Sequence, residues 1–515
     1  MITRRRFSRH SLTAVGALSL AACAAAPRPA APSSGAFRHG VASGDPLADR
    51  VVLWTRISTE ADPVPVRWWI AADEGFQRIV NAGEVSALAV RDHTVKVDVV
   101  GLEPGRTYHY RFAALGEESP VGRTRTTPVA TVSRVRFAVA SCANHPFGYF
   151  NAYARIAARP DLDAVLHLGD YYYEYAPGTY GDGDEFDRVP SPAKEVVTLD
   201  EYRQRHAQYK SDPDLQEAHR VHPWITVWDD HETADNSFRD GAGNHDPENG
   251  EGAWADRKAA AVRAYHEWMP IREQSAVGGR IYRSFRFGDL VDLLMLDTRL
   301  HGRTAILADR NDTVGLADPT RTILGPDQQA WLAEELRASQ RRRTAWRVLG
   351  QQCMFGQLVD DERLILNADQ WDGYPFSRDA VLDQLAAESI RDNVVLTGDI
   401  HSSWALDIAR DPFTPEYNAD TGRGSLAVEM VTPAVSSPSP FIGEEDVLER
   451  ERRTMERPHI HWVEFRSRGY VVVDVTPERA QGEWWLLDGV DQRGAAERLA
   501  ATLATERGRN HLVKG

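Results

Sequence analysis

Side chains that bind metal ions stand at four points of the sequence, each shortly after an apolar run. The four groups are Cys142; Asp170 with Tyr173; Asp229, Asp230 and His231 with Asn236; and Asp399 with His401. Thiolates and phenolates suit a strongly polarising ion, whereas an oxygen-only set of ligands suits Ca2+. One such group alone is most often a turn or a surface pair, but the recurrence of the arrangement favours one shared metal site.

The apolar runs in front of these groups predict the strands that would bring the groups together. The runs are Val135 to Ala140, Ala164 to Leu168, Trp224 to Trp228 and the run that begins at Asn393. Helical patterns separate them, and short continuous apolar runs joined by helices suit a sheet covered on both faces. Open α/β sheets place ligands at the carboxyl ends of their strands. Residues 134 to 515 are therefore predicted to form an α/β (α+β) domain with the metal site at that edge.

Residues 35 to 128 predict a different architecture. Several short runs rich in β-branched and aromatic residues, such as Arg50 to Ile57, are separated by turn signals, which is typical of an all-β unit. The segment Leu102 to Tyr110 resembles the turn and tyrosine-corner strand of a fibronectin-type sandwich. We therefore predict a small all-β, fibronectin-like sandwich domain in front of the α/β domain.

Residues 1 to 34 predict a targeting segment and a tether. Thr3 to Phe7 is a twin-arginine pattern, and the apolar run Leu12 to Ala22 that follows is too short to span a bilayer in the usual way. This pattern predicts export to the periplasm, the medium or the cell envelope. Leu20 to Cys23 also resembles a lipoprotein processing box with Cys23 as the lipid-bearing residue; an ordinary alanine-rich cleavage region explains the segment equally well.

Composition limits the classes of partner. The 515 residues carry 60 Lys and Arg against 75 Asp and Glu, a formal net charge of -15, which argues against a nucleic-acid-binding surface. Outside the leader, the sequence contains the cysteines Cys142 and Cys353, so there is no disulfide framework, although one bridge between them stays open. Cys353 is interpreted as a small buried thiol. We expect a monomer.

Three blocks carry a family resemblance. GDYYYEY, WDDHE and LTGDIHSSW resemble the signature blocks of the PhoD-like alkaline phosphatases, a branch of the calcineurin-like metallophosphoesterases. Purple acid phosphatases, in the same wider class, have aspartate, asparagine and histidine where this chain has Cys142, Asp230 and Asp399, and each change matches the PhoD-like branch. The resemblance implies a metallophosphatase β-sandwich flanked by helices, behind the small β-sandwich domain.

The resemblance also implies cofactors and roles for residues. It implies one Fe3+ and one or two Ca2+. Asp170 would bridge two ions; Cys142, Tyr173 and His401 would complete the iron side; and Asp230, Asp399 and Asn236 would hold calcium. His231 would donate a proton to the leaving oxygen or stabilise the transition state, and Asp229 would orient His231. Gln351 or Gln352 stands where relatives in the wider class place another histidine ligand.

The function implied by the resemblance is an exported, metal-dependent alkaline phosphatase. It would hydrolyse phosphomonoesters and phosphodiesters by attack of a metal-activated hydroxide and release phosphate. One alternative is an esterase specialised for lipid or polymer phosphodiesters, of the phospholipase D kind. A second alternative, from another class, is a non-catalytic calcium-binding module.

Two C-terminal segments are less distinctive. Gly494 to Arg507 is predicted to be helix-like, and whether it covers the site is left open. His459 and His461 have the same parity on a possible strand and could bind metal, but packing beside the sheet is the favoured interpretation because they lie outside the signature blocks.

Overall fold

The computed structural model describes residues 35–273, 279–441 and 446–515. The predicted leader, with Cys23, lies outside the described residues. The strands are β1 (Val41–Gly44), β2 (Arg50–Arg56), β3 (Val64–Ala71), β4 (Ile79–Ala87), β5 (Thr94–Val100), β6 (Thr107–Ala114), β7 (Glu117–Glu118), β8 (Gly122–Arg125), β9 (Val135–Ala140), β10 (Ala164–His167), β11 (Pro223–Thr226), β12 (Arg283–Phe287), β13 (Val291–Met295), β14 (Trp346–Gln351), β15 (Asn393–Thr397), β16 (Ser403–Ala409), β17 (Ser425–Val431), β18 (Ile460–Glu464), β19 (Gly469–Val475), β20 (Arg479–Leu487), β21 (Glu497–Glu506) and β22 (Leu512–Lys514). The helices are α1 (Asn151–Ala157), α2 (Leu199–Lys210), α3 (Pro213–Val221), α4 (Trp254–Trp268), α5 (Thr313–Leu316), α6 (Gly325–Arg342), α7 (Pro375–Ala387) and α8 (Val447–Thr454).

Two mixed sheets packed face to face form the centre of the molecule. One has the order β22-β21-β20-β19-β9-β10-β11-β1-β2-β5, and the other has the order β12-β13-β14-β15-β17-β16-β18. A continuous core of buried side chains joins them, for example Val139 and Leu166 from the first sheet with Leu293 and Val348 from the second. Helices α1, α3 and α4 contact the first sheet, and α6 and α7 contact the second. The predicted β-sandwich flanked by helices is confirmed.

The apolar runs form strands whose two faces are both covered by other parts of the protein. Every residue of β9, β10, β14 and β15 is buried, which explains why these strands read as continuous rather than alternating apolar runs. The helices between them begin at recognisable caps. Thr198 and Glu201 form a capping box at the start of α2, and Asp212 accepts hydrogen bonds from the first turn of α3.

The N-terminal segment forms the predicted all-β sandwich. A sheet of β4, β3, β6, β7 and β8 packs on β1, β2 and β5 around a core that includes Trp68 and Tyr110. The hydroxyl of Tyr108 accepts a hydrogen bond from the backbone N–H of Glu103 at 2.8 Å, as in a tyrosine corner. Because β1 pairs in parallel with β11, one sheet of this sandwich is continuous with the large central sheet.

The prediction of a helix-like segment from Gly494 to Arg507 is wrong. Residues Glu497–Glu506 form β21, which pairs antiparallel with β20 and with β22. Alanine, leucine, glutamate and arginine favour a helix locally, but pairing with an open sheet edge outweighs that preference here. In the described parts of the chain, no helix combines the length and the apolar character that crossing a bilayer requires.

Candidate metal centre

The four predicted groups meet at the carboxyl ends of neighbouring strands. Cys142 follows β9, Asp170 follows β10 and Asp230 follows β11, and these three strands are adjacent and parallel in the first sheet. Asp399 follows β15 in the facing sheet. The site therefore lies where the same ends of the two sheets come together, as the sequence predicted.

Five of the predicted site residues have a left-handed backbone. Their φ angles are 62° at Cys142, 53° at Asp170, 54° at Asn236, 63° at Asp399 and 52° at His401. Residues other than glycine adopt this region uncommonly, and such conformations persist where the surrounding structure imposes them. The fold therefore imposes an uncommon backbone conformation at these five positions.

Cys142, Asp170, Tyr173 and His401 form one half of the site. The hydroxyl of Tyr173 donates to Asp170 Oδ2 at 2.8 Å and lies 2.9 Å from His401 Nε2. The ligand atoms of Cys142, Asp170 and His401 all lie within 4.8 Å of one another. Burial and the Asp170 carboxylate raise the pKa of both Cys142 and Tyr173 well above their ordinary values. The thiol and the phenol therefore need a nearby cation to ionise.

Asp229, Asp230 and Asp399 form the other half, with ligand atoms again within 4.8 Å of one another. Asp230 Oδ2 accepts the backbone N–H of Asn236 at 2.7 Å, which fixes that carboxylate. Burial, together with the charges of nearby carboxylates such as Asp369 and Asp230, raises the pKa of Asp399 to about 6 against the opposing attraction of Arg299. Three carboxylates this close repel one another and require positive charge.

Arg299 supplies part of that charge and was not predicted. Its Nε donates to Asp229 Oδ1 at 2.5 Å, and its two terminal nitrogens donate to Asp399 at 2.7 Å and to Asp369 at 2.8 Å. Both the guanidinium and Asp229 are fully buried. Gln370 donates to the other oxygen of Asp399 at 2.6 Å. Arg299 follows β13, so the pattern of a polar group after a buried strand does mark it.

Glu174, rather than Asp229, orients His231. Glu174 Oε2 lies 2.8 Å from His231 Nδ1, while its Oε1 accepts hydrogen bonds from Asp235 and Asn244. The expected contact of Asp229 with His231 is corrected: Asp229 instead accepts from Arg299. Glu174 lies inside the GDYYYEY block, which is the signal that would have identified it.

The charge on His231 follows from its neighbours. Burial by itself lowers the pKa of His231, but the carboxylates of Asp230, Glu174 and Asp170 outweigh it and raise the pKa well above the ordinary value. The ring also packs against Tyr173, with centroids 4.2 Å apart. The surrounding carboxylates thus favour the protonated form of His231, and Glu174 fixes the orientation of the ring.

The two glutamines proposed as substitutes for a histidine ligand are engaged elsewhere. Gln351 donates to Thr397 and accepts from Trp371. Gln352 accepts from Thr298 and donates to backbone carbonyls. Each amide already has partners in the packed interior, so neither side chain joins the cluster.

Comparison with known proteins agrees with this geometry. Residues 137–484 match the family model described as PhoD-like phosphatase, and residues 22–128 match the model of its N-terminal domain. The chain belongs to the PhoD-like phosphatase family. It is 37% identical over 501 residues to alkaline phosphatase D of Bacillus subtilis (strain 168). The aligned region covers 94% of this chain and 83% of that protein.

Solved structures support the assignment. The structure described as that of PhoD matches with a TM-score of 0.84 and 36% identity, over 94% of this chain and 92% of the other. Purple acid phosphatase PPD1 of yellow lupin shares the fold, with a TM-score of 0.57 at 11% identity over 91% of this chain and 74% of that one. As a PhoD-like phosphatase, the protein is a hydrolase of the phosphatase class, and membership of the family implies dependence on metal ions.

The residues of this PhoD-like phosphatase fit a metal centre. Asp170 Oδ1 and Asp229 Oδ2 are buried and have no hydrogen-bond partner among the described residues. An unpaired buried carboxylate oxygen is costly unless a cation or a donor meets it. The site opens into a cavity of about 820 Å³ lined by Asp170, Asp230, His231, Asn236, Asp399 and His401, among others. Cys142 and Cys353 are both buried free thiols, so no bridge joins them.

Proposed function

We propose that this PhoD-like phosphatase is an alkaline phosphatase that hydrolyses phosphomonoesters and phosphodiesters, with one Fe3+ and one or two Ca2+ as cofactors. The observation that carries the proposal is the grouping of a thiol, a phenol, an imidazole and carboxylates beside a cavity that is also lined by His231. The name of the relative, alkaline phosphatase D, agrees with it.

The chemistry of the donor atoms supports this choice of ions. The thiol, phenol and imidazole of Cys142, Tyr173 and His401 suit Fe3+, whereas the oxygen atoms of Asp230, Asp399 and Asn236 suit Ca2+. Asp170 belongs to both groups, because its carboxylate lies within reach of Cys142 and His401 and also of Asp230. When bound, the ions supply the positive charge that polarises phosphoryl oxygens and lowers the pKa of water.

The protein's own residues supply orientation and a proton. Because Nδ1 of His231 is held by Glu174, Nε2 is the ring atom that can donate a proton to the oxygen of the leaving alcohol as its bond to phosphorus breaks. Arg299 holds Asp229 and Asp399 close together and opposes the rise in pKa that burial causes in both carboxyls. Its three donor nitrogens are all occupied by carboxylates, so it positions the site and does not bind the phosphate.

A second candidate is an esterase specialised for lipid or polymer phosphodiesters. The observation that favours it is the apolar part of the cavity wall, which includes Ile306, Leu307, Leu366 and Pro438. Such a wall can pack against the apolar part of an ester. The third possibility, a non-catalytic calcium-binding module, is disfavoured because the complete ligand set and the oriented His231 are present.

We also propose that the protein is exported by the twin-arginine route to the periplasm, the medium or the cell envelope. The support is the Thr3 to Phe7 pattern and the short apolar run after it. Cys23 is the proposed attachment point for lipid if the protein is processed as a lipoprotein. Labelling with a fatty acid analogue, compared with a Cys23→Ala variant, separates the two leader types.

The decisive experiment combines metal loading with turnover. Protein folded with Fe3+ and Ca2+ should show a visible charge-transfer band and should hydrolyse both p-nitrophenyl phosphate and bis-p-nitrophenyl phosphate. Cys142→Ser should lose the iron and most of the activity, whereas the matched variant Cys353→Ser should keep both. A colourless and inactive protein after loading would contradict the proposed activity and cofactors. Activity on the diester alone would favour the second candidate.

A further inference from the structure

A second cluster of metal-ligating side chains lies apart from the active site. Asp407 on β16, His461 on β18 and His511, next to β22, have ligand atoms that all lie within 4.8 Å of one another. Asp407 lies four residues along β16 from Ser403, which is about 13 Å at the rise of a strand, on the side that leads away from His401. The cluster shares no residue with the catalytic centre.

The geometry is centred on the two oxygens of Asp407. His461 Nε2 lies 3.2 Å from Oδ1, and His511 Nδ1 lies 2.6 Å from Oδ2. The imidazole rings stand edge to face with centroids 5.1 Å apart. Ligands at about 2.0–2.1 Å from a tetrahedral Zn2+ are about 3.3 Å from one another, so small rotations of the rings would create room for such an ion.

The surroundings orient the cluster. Asp407 is fully buried, its Oδ1 accepts the backbone N–H of Leu512 at 2.9 Å, and its Oδ2 accepts the hydroxyl of Tyr417 at 2.9 Å. Supporting hydrogen bonds of this kind hold metal ligands in place. His461 Nε2 is buried and makes no hydrogen bond of acceptable geometry with the described residues. That nitrogen is available as a ligand.

We propose that Asp407, His461 and His511 form a zinc site that fastens the C-terminal strand of the first sheet to the edge of the second. Two imidazoles and a carboxylate are a ligand set that Zn2+ prefers over Ca2+. A water molecule or the Tyr417 hydroxyl takes the fourth position. The site links β16 and β18 to β22, which lie far apart in the chain, so its role is structural. It stands independently of the proposed phosphatase chemistry.

The rival explanation is a latch of hydrogen bonds in which protonated histidines neutralise Asp407. The two explanations differ in whether zinc is taken up. The test uses full-length protein stripped with a chelator, in an Asp170→Asn background that removes the carboxylate shared by two groups of the active site. Calorimetric titration then measures how many equivalents of Zn2+ the protein binds. The absorption spectrum of bound Co2+, used in place of Zn2+, shows whether the second cluster holds the ion.

We expect His461→Gln or His511→Gln to remove about one equivalent from the total Zn2+ that the Asp170→Asn protein takes up. The matched control is His459→Gln, since the His459 ring lies nearby but pairs with the Gln357 carbonyl at 2.9 Å; it should keep the total unchanged. Zn2+ should also raise the melting temperature of the background protein more than that of the two variants.

Two results would overturn the proposal. One is no uptake of Zn2+ by the Asp170→Asn protein. The other is a total uptake of Zn2+ in both histidine variants that equals the uptake of the Asp170→Asn protein. If His511→Gln fails to fold, His461→Gln decides, because His461 is the more exposed of the two rings at 18% against 11%.

Discussion

The substitution Glu174→Gln tests whether the carboxylate behind His231 sets the pH range of the reaction. Glutamine keeps the shape and an oxygen that can accept from Nδ1, but it removes the negative charge 2.8 Å from the ring. Unlike Asp170 and Asp230, Glu174 is fully occupied by protein donors, so its effect on His231 does not depend on which ions are bound.

The expected size follows from the contact. Opposite charges whose centres lie about 4 Å apart interact with about 4 kcal/mol at an effective dielectric constant of about 20. A difference of about 1.4 kcal/mol corresponds to one pH unit, so even partial compensation by the surroundings leaves a displacement of more than about one unit. His231 acts in its protonated form, so kcat falls as pH rises through its pKa. Loss of Glu174 lowers that pKa, and the fall begins at lower pH.

The assay is the pH dependence of kcat for a phosphate ester with a poor leaving group, which needs the proton most. The control is Glu195→Gln, because Glu195 contacts Asn244 and Arg257 but not His231. We expect the fall of kcat at alkaline pH to begin at lower pH for Glu174→Gln and to be unchanged for Glu195→Gln. An unchanged fall for Glu174→Gln, or equal displacement by both variants, would refute the reasoning.

Three further predictions concern single side chains. Tyr173→Phe removes one oxygen ligand at nearly constant volume, so the visible band should disappear and kcat should fall steeply while the circular dichroism spectrum is unchanged; a retained band would place the phenolate elsewhere. His231→Ala should keep the metal content measured by elemental analysis and lower kcat, by about 10²–10⁴-fold for poor leaving groups, and loss of metal would make His231 a ligand. Arg299→Met leaves Asp229 and Asp399 buried without their partner and should lower the free energy of unfolding of chelator-treated protein by about 3–5 kcal/mol; a change below about 1 kcal/mol in urea denaturation would contradict this.

The strand ends could be predicted from the sequence because the signal is local. A buried run that stops at Asp170 or Asp399 is visible without knowledge of the rest of the chain. The partner of His231 was assigned wrongly because Asp229 is two residues away in sequence, whereas Glu174, although it lies in the GDYYYEY block, is brought to His231 by the fold. Arg299 was missed for a related reason: its meaning lies in three carboxylates from distant segments. The left-handed backbone of Cys142 likewise leaves no mark in the sequence, since the residue is not glycine.

The helix propensity of individual residues gave a wrong prediction where strand pairing determines the structure. Glu497 to Glu506 reads as a helix by composition, yet it is β21, because β20 offers it an edge to pair with. The all-β front unit was predicted correctly, but its continuity with the central sheet was not, since pairing of β1 with β11 joins residues about 180 positions apart in the chain. The local sequence pattern predicts individual strands, but it does not predict which distant strands pair and so join two sheets into one.

The charges in the site show how an acidic protein depends on its cofactors to act on an anionic substrate. Glu232 accepts backbone N–H groups at the base of the cluster, and burial together with the Asp170 charge raises its pKa to about 8. The cations Arg299 and His231 are each already paired with carboxylates. Arg310 also lines the cavity, where it donates to the Leu366 carbonyl at 2.9 Å. Metal ions therefore add the positive charge that faces the carboxylates, and a chelator should abolish turnover and weaken phosphate binding.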